Sequence, residues 1–370
     1  MDQITFSSRI ERARELHRQG SKIVGYFCCY TPIELITAAG LVPFHLTGAM
    51  DQPAVQADGF IETVICPYIR SVFEMRINGD YDFIDGLVMG NTCDTIYFSY
   101  TAFKDYWKPA FSHFLDIPHK ITESSRKFHR SEFDRFRDAL AGYTEIKISD
   151  ESLQNAIVLH NRNRQLLREL YELRKDQPPP MAAGRVLETS LNNRAIPVEE
   201  GNKLLEDTIA GIVSARPHAT GSGKRLLLWG SQFNNTQILD IIEDCGASVV
   251  VDDLCMGYRN IRQDVEVTSE PMDGLTTYYS SGQVCARTYR DGVDERFGHI
   301  KELARDFRVD GAILYLLRYC DPCGFDLPLL KAYIENTGIP AMVIEDDYTG
   351  GARAQITTRI QAFVEMLEQR

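Results

Sequence analysis

Residues 22 to 46 read "KIVGYFCCYTPIELITAAGLVPFHL", and the fold is decided here. "KIVGYFC" is a short apolar run and predicts a buried strand. "TPIELITAAG" carries the start and stop signals of a helix. Thr31 is placed as N-cap, Pro32 at the first position, Glu34 three residues on in capping-box spacing, and Gly40 as the stop. "VPFHL" is the next strand. Strands alternating with helices argue for a parallel α/β sheet.

Outward from this stretch the alternation continues. Residues 2 to 18 predict a helix. "DGLVMG" (85–90) predicts a strand, and "NTCDTIYFSYTAFKDYW" (91–107) a helix with aromatics near helical spacing. From about 130 to 215 the pattern turns helical. "ESLQNAIVLHNRNRQLLRELYELRK" (151–175) is long and amphipathic, and Pro178 to Pro180 stop it. In "PVEEGNKLLEDTIAGIVSAR" (197–216), Leu204, Leu205, Ile209, Ile212 and Val213 form one stripe. At 224 the period changes again. "KRLLLWG", "ASVVVDD", "GAILYLL" and "AMVIEDD" are strands separated by helices, a second α/β sheet, and a final helix ends the sequence. The predicted division is an α/β domain at 1–130, a helical connecting region at 131–223 and a second α/β domain at 224–370.

A chain of 370 residues is too long for one ordinary core, so two domains are expected. Its net charge of −12 argues against a nucleic-acid surface. The charged, amphipathic N-terminus is unlike a secretory signal. The most apolar long segment, Val24 to Phe44, contains Pro32 and Glu34, which argues against a membrane span. Nine cysteines, an odd number with no signal, fit a reducing cytoplasm. There, clustered cysteines point to metal or catalysis before disulfides.

Two motifs fail. "TGSGK" (220–224) lacks the first glycine of a phosphate loop, His218 standing in its place, and it precedes a strand rather than following one. "WGSQFNN" (229–235) follows a strand without the three glycines of a dinucleotide fingerprint. The histidines are scattered, with no paired spacing for a metal.

The cysteines sort by position. Cys66 precedes a proline suited to a first helical turn, in "ETVICPYIRS". Cys93 falls just past the strand in "DGLVMGNTCD", and Cys320 just past the strand in "GAILYLLRYCDP". Ligands of open parallel sheets bind beyond the carboxyl ends of the strands. Three cysteines at such ends can converge on one cleft between two domains. Convergent thiolates suit an iron–sulfur cluster or a catalytic zinc; otherwise each is a small buried apolar residue. Cys245, Cys255 and Cys285 read as structural. Cys28 and Cys29 alternate faces, so at most one points into the cleft. Cys320 and Cys323 have the spacing of a redox dithiol, without thioredoxin-like elements around them. No second "CxxC" exists for a zinc ribbon.

"VGYFCCYTPIELITAAGLVPFHLTG", "CPYIRSVFE", "YDFIDGLVMGNTCDTIYF", "IEDCGASVVVDDLCMGYR" and "YCDPCGFDLPLLKAYIENTGIPAMVIEDDY" occur in this order. Together they resemble the iron–sulfur subunits of the 2-hydroxyacyl-CoA dehydratase and benzoyl-CoA reductase family, from about residue 20 to 368. The helical middle matches least. The resemblance implies two Rossmann-like or flavodoxin-like domains joined by helices, with Cys66, Cys93 and Cys320 as ligands of a [4Fe–4S] cluster. It implies a paralogous iron–sulfur subunit as partner, a separate ATP-hydrolysing activator that delivers single electrons, and an acyl-CoA substrate. In the dehydratases one electron makes a ketyl radical that permits loss of water; in the reductases electrons enter an aromatic ring. A third branch holds a double-cubane cluster and reduces small molecules. It uses a further "CP" segment between the blocks at Cys66 and Cys93, which "RINGDYDF" (76–83) lacks, although Cys29, Cys285 or Cys323 could substitute. Glu34 is expected either as a helix cap or as a carboxylate moving a proton at the cluster's open corner. A non-catalytic small-molecule-binding α/β protein and a pure electron-relay subunit remain as alternatives.

Overall fold

The computed structural model describes residues 6–50, 52–215 and 223–370. Residues 2–5 of the expected first helix and 220–222 of "TGSGK" lie outside them. The first sheet contains β1 (Ile23–Tyr26), β2 (Val42–His45), β3 (Gly86–Gly90) and β4 (Phe111–Leu115), all parallel, in the order β2-β1-β3-β4. The second contains β5 (Lys224–Gly230), β6 (Ala247–Asp253), β7 (Gly311–Leu317) and β8 (Ala341–Asp346), also parallel, in the order β6-β5-β7-β8. The two halves thus repeat one winding. Central strands β1 and β3 are buried along their whole length, which is why they read as unbroken apolar runs. β4 is an edge strand with a half-exposed middle, and its Ser112 and His113 hid it from the sequence pattern.

Helices α1 (Phe6–Arg18), α2 (Ile33–Ala38), α3 (Pro67–Ile77) and α4 (Asp94–Trp107) accompany the first sheet. Between the sheets in sequence run α5 (Glu123–Thr144), α6 (Asp150–Glu172), α7 (Ala183–Asn193) and α8 (Val198–Ala215). The second sheet carries α9 (Thr236–Asp244), α10 (Pro271–Thr277), α11 (Val293–Asp306), α12 (Asp321–Asn336) and α13 (Arg353–Glu368). Helix α6 packs against α2 on one side and α8 on the other. No helix among the described residues is long and apolar enough to cross a membrane.

One continuous cluster of buried apolar side chains runs from the first sheet (Ile23, Phe44, Leu87) to the second (Leu226, Ile313, Ile344). The opposite faces are covered separately. Val24 and Val88 pack with Phe133 and Phe136 of α5, while Leu227, Val250 and Leu314 pack with Ile300 of α11 and Leu330 of α12. Polar contacts cross between the halves near the shared core. Gln232 Nε2 donates to the Phe27 carbonyl at 2.7 Å and Asn234 Nδ2 to the Gly48 carbonyl at 2.8 Å.

The start of α2 differs from expectation. Its N-cap is Pro32, not Thr31, and no side chain caps it. Thr31 is buried, and Glu34 turns to partners elsewhere in the fold. Helix α12 begins earlier than its apolar pattern suggested, directly after Cys320, because Pro322 fits a first turn.

Candidate functional site

In each sheet the winding reverses between two central strands: β1 and β3 in the first, β5 and β7 in the second. Crevices beyond the carboxyl ends of strands at such reversals bind ligands in open α/β sheets. Here both reversals open on one cavity. Its wall comes from Phe27 and Cys28 after β1, Thr92 and Cys93 after β3, Ser231 and Gln232 after β5, and Cys320 after β7. Gly230, the last residue of β5, leaves the strands free to approach at this point. A Cβ there would meet the Tyr315 carbonyl oxygen of β7 at 2.7 Å. The cavity has a volume of ≈ 90 Å³. That suits a compact group, not a nucleotide.

Cys66, Cys93 and Cys320 all line it. Each is the N-cap of a helix: Cys66 of α3, Cys93 of α4 and Cys320 of α12. Pro67 and Pro322 occupy first turns, so the backbone N–H lost to proline is one that a helix start leaves unpaired anyway. None of the three cysteines spends its side chain on a capping bond. Their sulfurs are left to the cavity, at the positive ends of three helices. Tyr319, also in the lining, has φ 64°, a left-handed conformation unusual for a bulky residue. It turns the chain from β7 into α12 and sets Cys320 at the cavity wall.

Burial opposes ionisation here. It pushes the Cys66 thiol up to about 12, against backbone N–H groups of Ile69 and Tyr68 that favour the thiolate. Burial likewise raises Cys93. Cys320 is lowered, first by a hydrogen bond with Cys323 and further by Ser231. At neutral pH, Cys66 and Cys93 are therefore thiols unless a cation is brought among them. A soft metal centre would supply one, because coordination deprotonates a thiol outright. Among the described residues, no group of three or more His, Cys, Asp or Glu side chains is placed to hold a metal ion. The three cysteines share the lining of one cavity.

Cys255 and Cys285, which had read as structural, line the same cavity, as do Cys323 and Cys28, the one member of the Cys28–Cys29 pair in the lining. Cys29 lies against Cys28, with sulfurs 4.0 Å apart, and hydrogen-bonds with Cys255 and Cys285. Arg259, whose guanidinium is paired with Asp253 at 2.8 Å, points Nη1 at the Cys255 sulfur at 3.7 Å. Hydrogen bonds from Cys255 and Cys29, with Arg259 nearby, hold Cys285 well below the ordinary thiol range. The signal available in the sequence was positional: Cys255 follows β6 as Cys320 follows β7. Cys245 ends α9 and is no part of the lining.

Glu34 is not among the residues lining this cavity. Its carboxylate is fully buried, ion-paired with Arg164 of α6, and accepts a hydrogen bond from Tyr279 at 2.9 Å. Burial alone would raise its pKa, but Arg164 and His160 outweigh burial and keep it lowered. The group is a carboxylate held between α2, α6 and the turn after α10.

Residues 28–367 match the model of the 2-hydroxyglutaryl-CoA dehydratase D-component family. The chain is 27% identical over 358 residues to the (R)-phenyllactyl-CoA dehydratase beta subunit of Clostridium sporogenes, covering 96% of this chain and 94% of that one. It is 24% identical over 352 residues to a benzoyl-CoA reductase subunit of Thauera aromatica, covering 94% and 91%. It is 26% identical over 355 residues to the lactoyl-CoA dehydratase beta subunit of Anaerotignum propionicum, covering 94% and 92%.

Proposed function

The chain belongs to the 2-hydroxyglutaryl-CoA dehydratase D-component family, and from that premise we propose that it is the iron–sulfur subunit of an acyl-CoA enzyme, with Cys66, Cys93 and Cys320 as ligands of a [4Fe–4S] cluster. The supporting observation is that these three residues, from both halves of the chain, line one cavity at the N-caps of three helices. When bound, the cluster supplies single electrons at low potential, for loss of water from a 2-hydroxyacyl-CoA or reduction of an aromatic acyl-CoA. The chain's own contribution is to hold and shelter it. Phe27, Tyr68, Ile69 and Ile96 give the cavity apolar walls that keep water from reactive species. Thr92, Ser231 and Gln232 offer polar groups at strand ends.

Relatives named as single subunits of larger enzymes support a paralogous iron–sulfur subunit as partner, and an ATP-hydrolysing activator would deliver the electrons. Within this proposal Glu34 is a positioning residue. It fixes α2, the helix that follows β1 and Cys28, onto α6.

The second thiol group favours one other reading. Cys28, Cys255 and Cys285 share the cavity with the first three cysteines, which suits a double-cubane cluster that reduces small molecules. Iron and acid-labile sulfide, counted on anaerobically purified chain, separate the two. About four irons per chain supports the single cubane, and about eight the double. Serine at Cys66, Cys93 or Cys320 lowers iron under either reading, whereas serine at Cys255 or Cys285 does so only under the second. Unchanged iron in the Cys66, Cys93 and Cys320 variants would sink both.

A further inference from the structure

The cysteine cavity has an apolar rim. Cys66, Cys93 and Cys320 are each half-buried, and Tyr319 and Asp321 of the lining are exposed. The cavity therefore opens where the three helices begin. Val64 stands two residues before Cys66, and Tyr319 directly before Cys320; both are exposed. Exposed Tyr97 and Phe98 project from α4, and exposed Phe325 and Leu329 from α12. Phe325 (83% exposed) and Phe98 (73%) are the most exposed large apolar side chains among the described residues.

These two phenylalanines hold matching positions. Phe98 lies five residues past Cys93 on the helix after β3, and Phe325 five past Cys320 on the helix after β7. In the repeated winding β7 takes the place of β3. Each phenylalanine sits about 7.5 Å along its helix from the cysteine at the N-cap. Leu329, four residues on, extends the same face of α12. The Tyr97 ring meets that of Phe98 edge-on, with centroids 5.2 Å apart, which limits the freedom Phe98 would lose on contact. Single exposed apolar side chains are ordinary. Six around one opening form a patch of the kind that marks an interaction site.

Size and charge specify what covers it. At about 150–250 Å² per aromatic side chain, the exposed parts of Tyr97, Phe98, Tyr319 and Phe325 amount to roughly 400–600 Å². A stable interface takes about 800 Å² per partner, a little over half of it apolar. The patch is thus the size of the apolar portion of one protein–protein interface. Glu62, Asp94 and Asp321 are exposed at its edge. The arginines of the same segments, Arg70 and Arg318, are already paired with Asp58 and Glu345. A second copy of this chain, with its net charge of −12, would bring acid against acid, which disfavours association. The margin calls instead for lysine or arginine.

We propose that this rim is the docking surface for the second, non-identical subunit of the enzyme. Phe98 and Phe325 are its twin anchors, and a basic margin on the partner faces Glu62, Asp94 and Asp321. The inference rests on the reading, given above, of the chain as one subunit of a larger enzyme. Docking there closes the mouth of the cavity and excludes water from it.

Photocrosslinking tests this. The enzyme is isolated anaerobically, from cells that make it, through a tag on this chain carrying benzoylphenylalanine in place of Phe98 or Phe325. Irradiation is expected to join both positions to a second member of the same family, identified by its peptides. In Phe98→Ser/Phe325→Ser the co-purified subunit should fall at least tenfold, as loss of central aromatic anchors does, with iron per chain unchanged. Crosslinks only to a second copy or to the ATP-hydrolysing activator overturn the proposal, as does no crosslink from either position. A complex retained in full by the double variant overturns it as well. A chain that purifies alone with iron bound overturns it while leaving the cluster reading intact. An iron-free chain that still crosslinks to the second subunit supports it and fails the cluster reading instead.

Discussion

Glu34 shows what one residue's surroundings decide. Its spacing after Thr31 suggested a cap, and its place after the first strand suggested chemistry. Neither spacing nor pattern could reveal Arg164, 130 residues away, because ion pairs across a fold leave no local trace in sequence. Removing one partner of a buried pair strands the other charge. Glu34→Ala should therefore cost about 3–5 kcal/mol of stability, read as a lowered urea midpoint, with iron still bound by the folded fraction. A midpoint within error of wild type would show that the pair is not the anchor described here. Acid should act in two stages. His160, held by Thr37 at 2.9 Å, is lowered by burial to about 4. The unfolded chain takes up that proton below its ordinary value near 6.5, the folded chain only near 4. Stability on the order of 3 kcal/mol is thus present above about pH 6.5 and lost as pH falls toward 4. Glu34, with its pKa lowered, contributes above the ordinary carboxylate value and loses that contribution below it. Urea unfolding at pH 7, 5.5 and 4.5 should show a steady decline, and a flat profile contradicts the assignment of His160.

At the scale of elements, the strands with continuous apolar runs were legible, because burial on both faces leaves an unmistakable pattern. β4 was not, since an edge strand needs only part of that burial. The helix starts at Cys66, Cys93 and Cys320 were half legible: proline marked two of them, while the early start of α12 was masked by a weakly amphipathic first turn. Their identity as N-caps makes the ligand and structural roles separable. Serine is a good N-cap, so Cys66→Ser, Cys93→Ser and Cys320→Ser should keep each helix. The iron-free forms of the variants and the wild type should unfold within about 1 kcal/mol of one another, while iron content falls. Losses of several kcal/mol in the iron-free comparison would mean that these sulfurs serve packing instead.

For the whole molecule, the winding was legible twice over and the convergence of the two halves was not. Periodicity reports which face of an element is buried, but not which sheet it will meet. The shared core between Leu87 and Leu226, and the Gln232–Phe27 contact across it, bring both strand-order reversals to one cavity. That closure gathers cysteines from positions 28 to 323 around a space built for a compact group. It also explains why Cys255 and Cys285 read as structural when each was considered beside its own strand. The most direct measurement is iron anomalous scattering from crystals of the anaerobically purified chain. Iron peaks are expected in the cavity between the two sheets, at bonding distance from the sulfurs of Cys66, Cys93 and Cys320. Iron bound elsewhere, or an iron-replete chain whose cavity shows no anomalous peak, would contradict the cluster assignment.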